Sequence, residues 1–338
     1  MEKMKFGRTG LDAGRTAFGC IPIQRITFDE STRLLRRAYD NGINLFDTAT
    51  GYTTSEERIG VAFGEARKNI ILCTKSFAAA PEQLISNIEN SLKMMKTDYL
   101  DVFQFHNPNF VPLPGGEDGF YDALLKAKRE GKVRFIGISQ HSLERAREAA
   151  ECGHYDVLQY PVSYLSSEDE IELVNICAER GVAVLAMKGM CGGILSNAKA
   201  AFAFLRQFAH VFPIWGIQHE WELDEFLKYE KESPALDVEM RRIIEADKKE
   251  LSGNFCRACG YCLPCPAEIP IPMAARMSYL LRRMPAEGLL SPQWRENMRR
   301  IEDCAGCGNC TSKCPYGIDA PALLKKQMVD YFENNPCV

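Results

Sequence analysis

The sequence predicts an α/β protein: a (β/α)₈ barrel of the TIM type, followed by a smaller all-α domain. Three observations predict it. Short apolar runs alternate with amphipathic helical patterns eight times in about 230 residues. A glycine stops several of those helical patterns directly before the next apolar run. Cysteine usage then changes: of 14 cysteines, Cys256, Cys259, Cys262, Cys265, Cys304, Cys307, Cys310 and Cys314 crowd into one stretch, with Cys337 behind them. The shift places the barrel at residues 1–235 and the second domain at residues 236–338.

The elements follow in order. Residues 6–15, centred on Gly7 and Gly10, read as a hairpin that can plug the barrel floor. The first barrel strand lies near Ala17. A helix over 29–41 turns Leu34, Leu35, Ala38 and Tyr39 inward, Gly42 stops it, and 43–46 is the second strand. Strand 70–74 precedes a helix opened by Pro81, in which Leu84, Ile88 and Leu92 repeat every four residues. Strands at 100–105, 135–138, 157–159, 182–187 and 211–215 complete the eight, and Gly131, Gly153 and Gly181 end helices ahead of three of them. Near-continuous apolar composition marks strands buried on both faces, as in parallel sheets. An open doubly wound sheet is the alternative. It carries a glycine-rich phosphate turn after its first strand, and here only Gly19 follows.

Composition narrows the function. The chain has 338 residues, 46% apolar and 25% charged, with net charge -4 and pI ≈ 5.9. That balance gives no general attraction to nucleic acid or anionic lipid. The basic stretch 295–300 reads as the solvated face of a helix. No run of about 18 apolar residues predicts a membrane span. The opening Met1-Glu2-Lys3-Met4-Lys5-Phe6-Gly7 lacks the apolar core of a signal peptide. A cytoplasmic, reducing location is expected, where cysteines serve as metal ligands or catalysts more often than as disulfides.

In such barrels the chemistry sits at the carboxyl ends of the strands. Those ends carry Asp47 after Phe46, Lys75 after Thr74 and His106 after Phe105, with Tyr52 in the loop behind Asp47. Each alone reads as a structural or solvated group; together they suit one reaction. Reducing a carbonyl needs hydride on carbon and a proton on oxygen. A tyrosine hydroxyl titrates near 10, and a neighbouring ammonium lowers that value. Lys75 can supply the charge, Asp47 can hold Lys75, and His106 can donate a hydrogen bond to the substrate oxygen. His141, His154, His210 and His219 read as structural. Cys191, beside Gly192 and Gly193, reads as packing or as a contact to substrate or cofactor.

With these residues in view, the chain resembles the aldo-keto reductase superfamily over about residues 4–230. The matching stretches are Gly42-Ile43-Asn44-Leu45-Phe46-Asp47-Thr48-Ala49 with Tyr52 and Ser55-Glu56, then Thr74-Lys75, then Asp98-Tyr99-Leu100-Asp101 through His106. Gly131-Lys132-Val133-Arg134-Phe135-Ile136-Gly137-Ile138-Ser139 and Ala186-Met187-Lys188 with Gly192-Gly193 match as well. The resemblance implies a barrel and the tetrad Asp47, Tyr52, Lys75 and His106, with Tyr52 as proton donor. It also implies NAD(H) or NADP(H), whose carboxamide would be met by Ser139, Gln140 and Gln159; Gln140 replaces the more usual Asn. Members that prefer NADPH carry Lys or Arg in the loop after the eighth strand. Here that loop reads Trp215-Gly216-Ile217-Gln218-His219-Glu220-Trp221-Glu222, with no fixed cation before Lys228. A 2′-phosphate gains little there, so NADH, or no nicotinamide, stays open.

Cys256, Cys259, Cys262 and Cys265 form C-x₂-C-x₂-C-x₂-C, followed by Pro266. Cys304, Cys307, Cys310 and Cys314 form C-x₂-C-x₂-C-x₃-C, followed by Pro315, the bacterial ferredoxin spacing. In two-cluster ferredoxins the fourth cysteine of each run crosses to the other cluster. By that pattern Cys314 joins Cys256, Cys259 and Cys262, and Cys265 joins Cys304, Cys307 and Cys310, around two [4Fe–4S] clusters. Zinc in Cys₄ sites, or one cluster from the second run alone, are the alternatives. Residues 273–303 and 320–332 read as helical, which resembles the helical ferredoxin-like type of two-cluster domain. Barrel plus cluster domain resembles an iron–sulfur subgroup of the aldo-keto reductases, and Gly19-Cys20-Ile21-Pro22-Ile23-Gln24-Arg25 fits that subgroup too.

The function expected from these readings is an oxidoreductase. It acts on a small carbonyl or alcohol at the barrel mouth. Its clusters relay single electrons to or from a partner such as a ferredoxin or other electron carrier. The alternatives are a non-catalytic electron-transfer or scaffold protein whose barrel docks a partner, and a redox-sensing regulator. No nucleic-acid or membrane partner is expected.

Overall fold

The computed structural model describes residues 1–251, 255–283 and 286–335. Its elements in chain order begin with strands β1 (Lys3–Lys5), β2 (Asp12–Gly14) and β3 (Ala17–Gly19). Strands and helices then alternate: α1 (Phe28–Asp40), β4 (Leu45–Asp47), α2 (Ser55–Phe63), β5 (Ile71–Ser76), α3 (Pro81–Met94), β6 (Leu100–His106), α4 (Phe120–Arg129), β7 (Val133–Ser139) and α5 (Leu143–Glu151). The alternation continues through β8 (Val157–Pro161), α6 (Glu168–Glu179), β9 (Ala183–Met187), α7 (Ala198–Leu205), β10 (Val211–Gly216) and α8 (Glu220–Glu232). Strands β3 to β10 close into a barrel, each parallel to its neighbours, with β10 pairing back onto β3. This is the closed (β/α)₈ barrel expected from the alternation, not the open sheet.

Period-two alternation decides what fills the barrel. Ala17, Leu45, Ile71, Cys73, Val102, Val157, Ala183 and Leu185 make one buried apolar cluster. Two residues further along the same inward faces stand Asp47, Lys75, Gln104 and Gln159. Apolar packing therefore occupies the amino ends and polar groups collect at the carboxyl ends. Gly137 pairs with Gln104 across β6 and β7, and a Cβ there would lie 2.8 Å from Gln104 Cγ. The glycine leaves the room that the glutamine fills.

The opening hairpin plugs the floor, with its ladder at β1 and β2 and residues 6–11 forming the connection. Phe6 is therefore not a ladder residue. It is fully buried, packs edge-on to Phe212 at 4.9 Å and joins the apolar cluster. Gly7, at φ +56, passes so close that a Cβ would fall 2.6 Å from Gly181 O. Arg8 N donates to the same carbonyl at 2.7 Å. Strand β4 starts later than residue 43 because Asn44 serves the hairpin: its side chain accepts from Gly14 N at 2.7 Å and donates to Asp12 O at 2.9 Å.

Contacts divide the chain into two compact units: Met1–Gly189 with Phe202–Leu236, and Met190–Ala201 with Asp237–Val338. The second unit holds helices α9 (Val238–Glu250), α10 (Ile271–Ala274), α11 (Met277–Arg283), α12 (Pro292–Arg299), α13 (Asn309–Ser312) and α14 (Ala320–Asn334). Its core joins Ile269, Ile271, Met277, Leu280, Met298, Ile301, Leu324 and Tyr331, and five of the clustered cysteines pack against it. Tyr331 Oη donates to Leu289 O at 2.9 Å, and Ser278 N donates to Gln327 Oε1 at 2.7 Å. Residues 284–285 of the expected helical stretch, and Cys337, lie outside the described residues. Among the described residues no helix is long and apolar enough to cross a membrane.

The plug yields a stability test. Phe6→Ala leaves a void under the barrel and costs about 3–5 kcal/mol, read from urea unfolding monitored by barrel fluorescence. A change below about 1 kcal/mol would mean that Phe6 does not close the floor.

Candidate active site and cysteine hollows

The β4, β5, β6 and β8 carboxyl ends converge on Asp47. Lys75 Nζ donates to Asp47 Oδ2 and to Thr48 O, each at 2.8 Å. Gln159 Nε2 donates to Asp47 Oδ2 at 3.2 Å. Gln104 Nε2 donates to Gln159 Oε1 at 2.9 Å and reaches Asp47 Oδ1 at 3.4 Å. Lys75 is 1% exposed and Asp47 4%. Tyr52 stands over this group, its ring centre 5.2 Å from Lys75 Nζ and 6.3 Å from the His106 ring, which it meets edge-on. All four expected residues are thus brought together.

The turn that carries Tyr52 is pinned from behind. Tyr52 N donates to Ala49 O at 3.0 Å. Ser55 Oγ donates to Cys20 O and accepts from Thr48 Oγ1, both at 2.9 Å. Glu56 is buried and accepts from Thr74 Oγ1 at 2.6 Å and Ser91 Oγ at 2.8 Å, which ties α2 to β5 and α3. Phe77 stacks on His106 at 3.9 Å and fixes its ring plane. A hollow of ≈ 410 Å³ opens beside His106, lined by Phe77, Leu84, Phe105, Asn107, Phe110 and Phe120. Sequence reasoning missed Gln104 and Phe77. The signal for Gln104 was its inward position between Val102 and His106; Phe77, one residue past β5, had none.

Burial rules the electrostatics. It draws the Lys75 ammonium down, but the charge of Asp47 and the hydrogen bond to it act the other way, and Lys75 is held above its ordinary value. Burial pushes Asp47 up, against Lys75 and the two glutamine amides. The sequence reading expected Lys75 to lower the Tyr52 hydroxyl. The net direction is the reverse: burial raises it, and the attraction of Lys75 offsets only part of that. Tyr52 is therefore protonated at neutral pH. His106 is held well below its usual value by burial, then by the charge of Lys75. Its imidazole is neutral, and its buried Nδ1 has no hydrogen-bond partner among the described residues.

Ser139, Gln140 and Gln159 are all buried around the mouth. Gln159 is spent on Asp47 and Gln104. Gln140 donates through Nε2 to Pro108 O at 2.8 Å, and its buried Oε1 lacks a donor. A carboxamide N–H fits that orphan. The loop after β10 is closed to further anions. Glu222 Oε2 accepts from Gln218 N at 2.7 Å and His219 N at 2.8 Å, so a carboxylate already caps the start of α8. Arg37, from α1, is bound to Glu220 and Asp224.

The cysteines line two hollows in the second unit. One, of ≈ 410 Å³, has Cys256, Cys259, Cys262 and Cys314 on its wall, with Cys310 touching both hollows. The other, of ≈ 450 Å³, has Cys265, Cys304, Cys307 and Cys310, and Cys262 likewise reaches both. The fourth cysteine of each run thus stands with the first three of the other. One Zn²⁺, with Zn–S near 2.3 Å, draws its thiolates to within about 3.8 Å of one another. No three Cys, His, Asp or Glu among the described residues are grouped to hold such a single ion. Four thiolates spread round an apolar hollow fit a cubane.

Residues 6–229 match the aldo/keto reductase family, more than half of the chain. The chain belongs to that family. Residues 255–319 of the chain match a 4Fe-4S dicluster domain. Among its relatives is the aldo-keto reductase YhdN of Bacillus subtilis, 30% identical over 217 residues, 58% of this chain and 64% of that one. The match thus spans under two thirds of the Bacillus protein. The NADH-specific methylglyoxal reductase of Escherichia coli is 25% identical over 231 residues, 58% of this chain and 70% of the relative. In fold, the chain is similar to the aldo-keto reductase AKR11C1 of Bacillus halodurans, with TM-score 0.63 and 22% identity over 73% of this chain and 96% of that one.

Neutral His106 carries a pH signature. Unfolded, its imidazole takes up a proton near pH 6.5; folded, it does so only at lower pH. The unfolded chain then binds more protons, so stability present above pH 6.5 is lost as pH falls through that value towards the folded one. The wild-type protein should lose more unfolding free energy between pH 7 and 5 than His106→Gln. Parallel curves would show that burial does not hold His106 neutral.

Proposed function

We propose that this chain is an oxidoreductase that reduces a small carbonyl, or oxidises the corresponding alcohol, at the barrel mouth. The observation that carries the reading is the buried Lys75–Asp47 pair at 2.8 Å beside Tyr52 and a neutral His106. Tyr52, protonated, delivers a proton to the substrate oxygen from its hydroxyl. Lys75, fixed by Asp47, favours the phenolate left behind. His106 donates its remaining N–H to the same oxygen while charge develops there, and needs no proton of its own to do so. The phenylalanine-lined hollow beside His106 takes an apolar substituent of the substrate and keeps water from it.

A nicotinamide, when bound, supplies or accepts the hydride. Gln140 Oε1 and Ser139 would hold its carboxamide, with Gln159 keeping Asp47 in place behind them. The carboxylate of Glu222, which already takes the backbone donors at the start of α8, favours NADH over NADPH, since a 2′-phosphate would meet it there with Arg37 already paired to Glu220 and Asp224. The cysteine hollows would hold two [4Fe–4S] clusters, Cys256, Cys259, Cys262 and Cys314 around one and Cys265, Cys304, Cys307 and Cys310 around the other. Loaded, they exchange single electrons with a ferredoxin or other electron carrier.

Three measurements test the reading. Protein purified without air should hold about eight irons per chain; zinc in place of iron ends the cluster assignment. Tyr52→Phe should cut carbonyl turnover by about 10²–10⁴-fold with iron content unchanged. Undiminished turnover removes Tyr52 as proton donor. Quenching of barrel fluorescence should need less NADH than NADPH, and tighter NADPH binding would contradict the reading of the α8 start.

A further inference from the structure

The surroundings of the two cysteine hollows differ in charge. Arg276, directly before α11, is 3% exposed. Within the second unit its Nη1 donates to Gly192 O at 2.7 Å and reaches Cys191 O at 3.4 Å; its Nε donates to Pro272 O at 2.8 Å. These acceptors are neutral, and no acidic side chain among the described residues is paired with it. Burial holds its guanidinium below the usual arginine value, and the Cys256 and Cys191 sulfurs act the other way. Packing holds it there. A Cβ on Gly192 would stand 3.1 Å from Arg276 Nη1 and 3.4 Å from Ala258 Cβ, and Ala258 N donates to Cys256 Sγ at 3.4 Å. Ala275, the residue before Arg276, lines the hollow of Cys256, Cys259, Cys262 and Cys314, and so does Arg257, its guanidinium 4.7 Å from the Tyr316 ring centre. The other hollow has no charged side chain in its lining.

We infer that Arg276 sets the reduction potential of the cluster held by Cys256, Cys259, Cys262 and Cys314, and makes that cluster the higher-potential member of the pair. Adding one electron makes a cluster and its thiolates more negative. A cation fixed at a ligand in a low-dielectric core favours that reduced state. Water reaching the exposed Cys307 also favours reduction of the other cluster, but a buried charge is screened far less than solvent-facing groups. An electron delivered to either cluster therefore comes to rest on the one beside Arg276. The inference rests on the two-cluster reading above.

The test is an anaerobic potentiometric titration of the full-length, iron-loaded protein, followed by electron paramagnetic resonance of the reduced clusters. Wild type should show two separate one-electron midpoints. Arg276→Gln should lower the upper one by about tenfold in the reduction equilibrium, about 59 mV for one electron, and leave the lower one in place. Arg276→Lys, which keeps the charge, should restore it. One shared midpoint in wild type, or an Arg276→Gln protein with full iron and unmoved or jointly shifted midpoints, overturns the inference. If Arg276→Gln loses iron, Arg276→Met, which removes the charge but keeps an unbranched side chain, decides: it should lower the same midpoint, and no shift overturns the inference. Fewer than about eight irons in wild type sinks the two-cluster reading instead, and is told apart by iron analysis before any titration.

Discussion

A lysine closed off from water inside a barrel needs a fixed counter-charge, and Asp47 is where Lys75 finds it. Both Asp47 oxygens are engaged, by Lys75, Gln104 and Gln159 from three other strands. Removing one partner of such a buried pair costs about 3–5 kcal/mol, because the survivor keeps its desolvation without its attraction. The arrangement is thus self-enforcing. Strand register has to bring Asp47, Lys75, Gln104 and Gln159 into one layer, and that layer then fixes the charge under Tyr52. The neutrality of His106 follows from the same ammonium and the same burial.

The second unit solves a different problem. Among the described residues, four of its six helices have eight residues or fewer, and cysteines pack against their apolar core beside further hydrophobic side chains. Thiolates there are costly to bury. Burial pushes the Cys262 thiol up to about 12 and raises Cys256 too, with Arg276 pulling the latter the other way. Iron offsets that cost when it binds. The domain therefore couples its fold to its cofactor, whereas the barrel holds its ion pair with protein groups alone.

Much of this was legible before any coordinates. The eight strands, the glycine stops and the two cysteine runs carry local signals: apolar runs, helix ends, ligand spacing. Asp47, Lys75 and His106 were legible as polar residues closing apolar strands. Gln104 was not, because one glutamine inside a strand looks like an interruption until the register places it opposite Lys75 and Gly137. The hairpin over residues 6–15 and its place at the barrel floor were visible, but not that its ladder begins at Lys3 and that Phe6 lies outside it, because nothing local tells a strand residue from a plug. The direction of the Tyr52 shift was misjudged. Proximity of a lysine can be guessed from strand ends, but the depth of burial that outweighs it cannot.

The sequence by itself determined the element order, the barrel class and the donor chemistry, since each rests on periodicity or spacing along a few tens of residues. Tertiary structure alone decided which side chains share a layer and which amides are already spent. It also decided that Gly192 stands between Arg276, whose guanidinium donates to its carbonyl, and Ala258. Those facts depend on distances between residues far apart in the chain, and no local propensity encodes them.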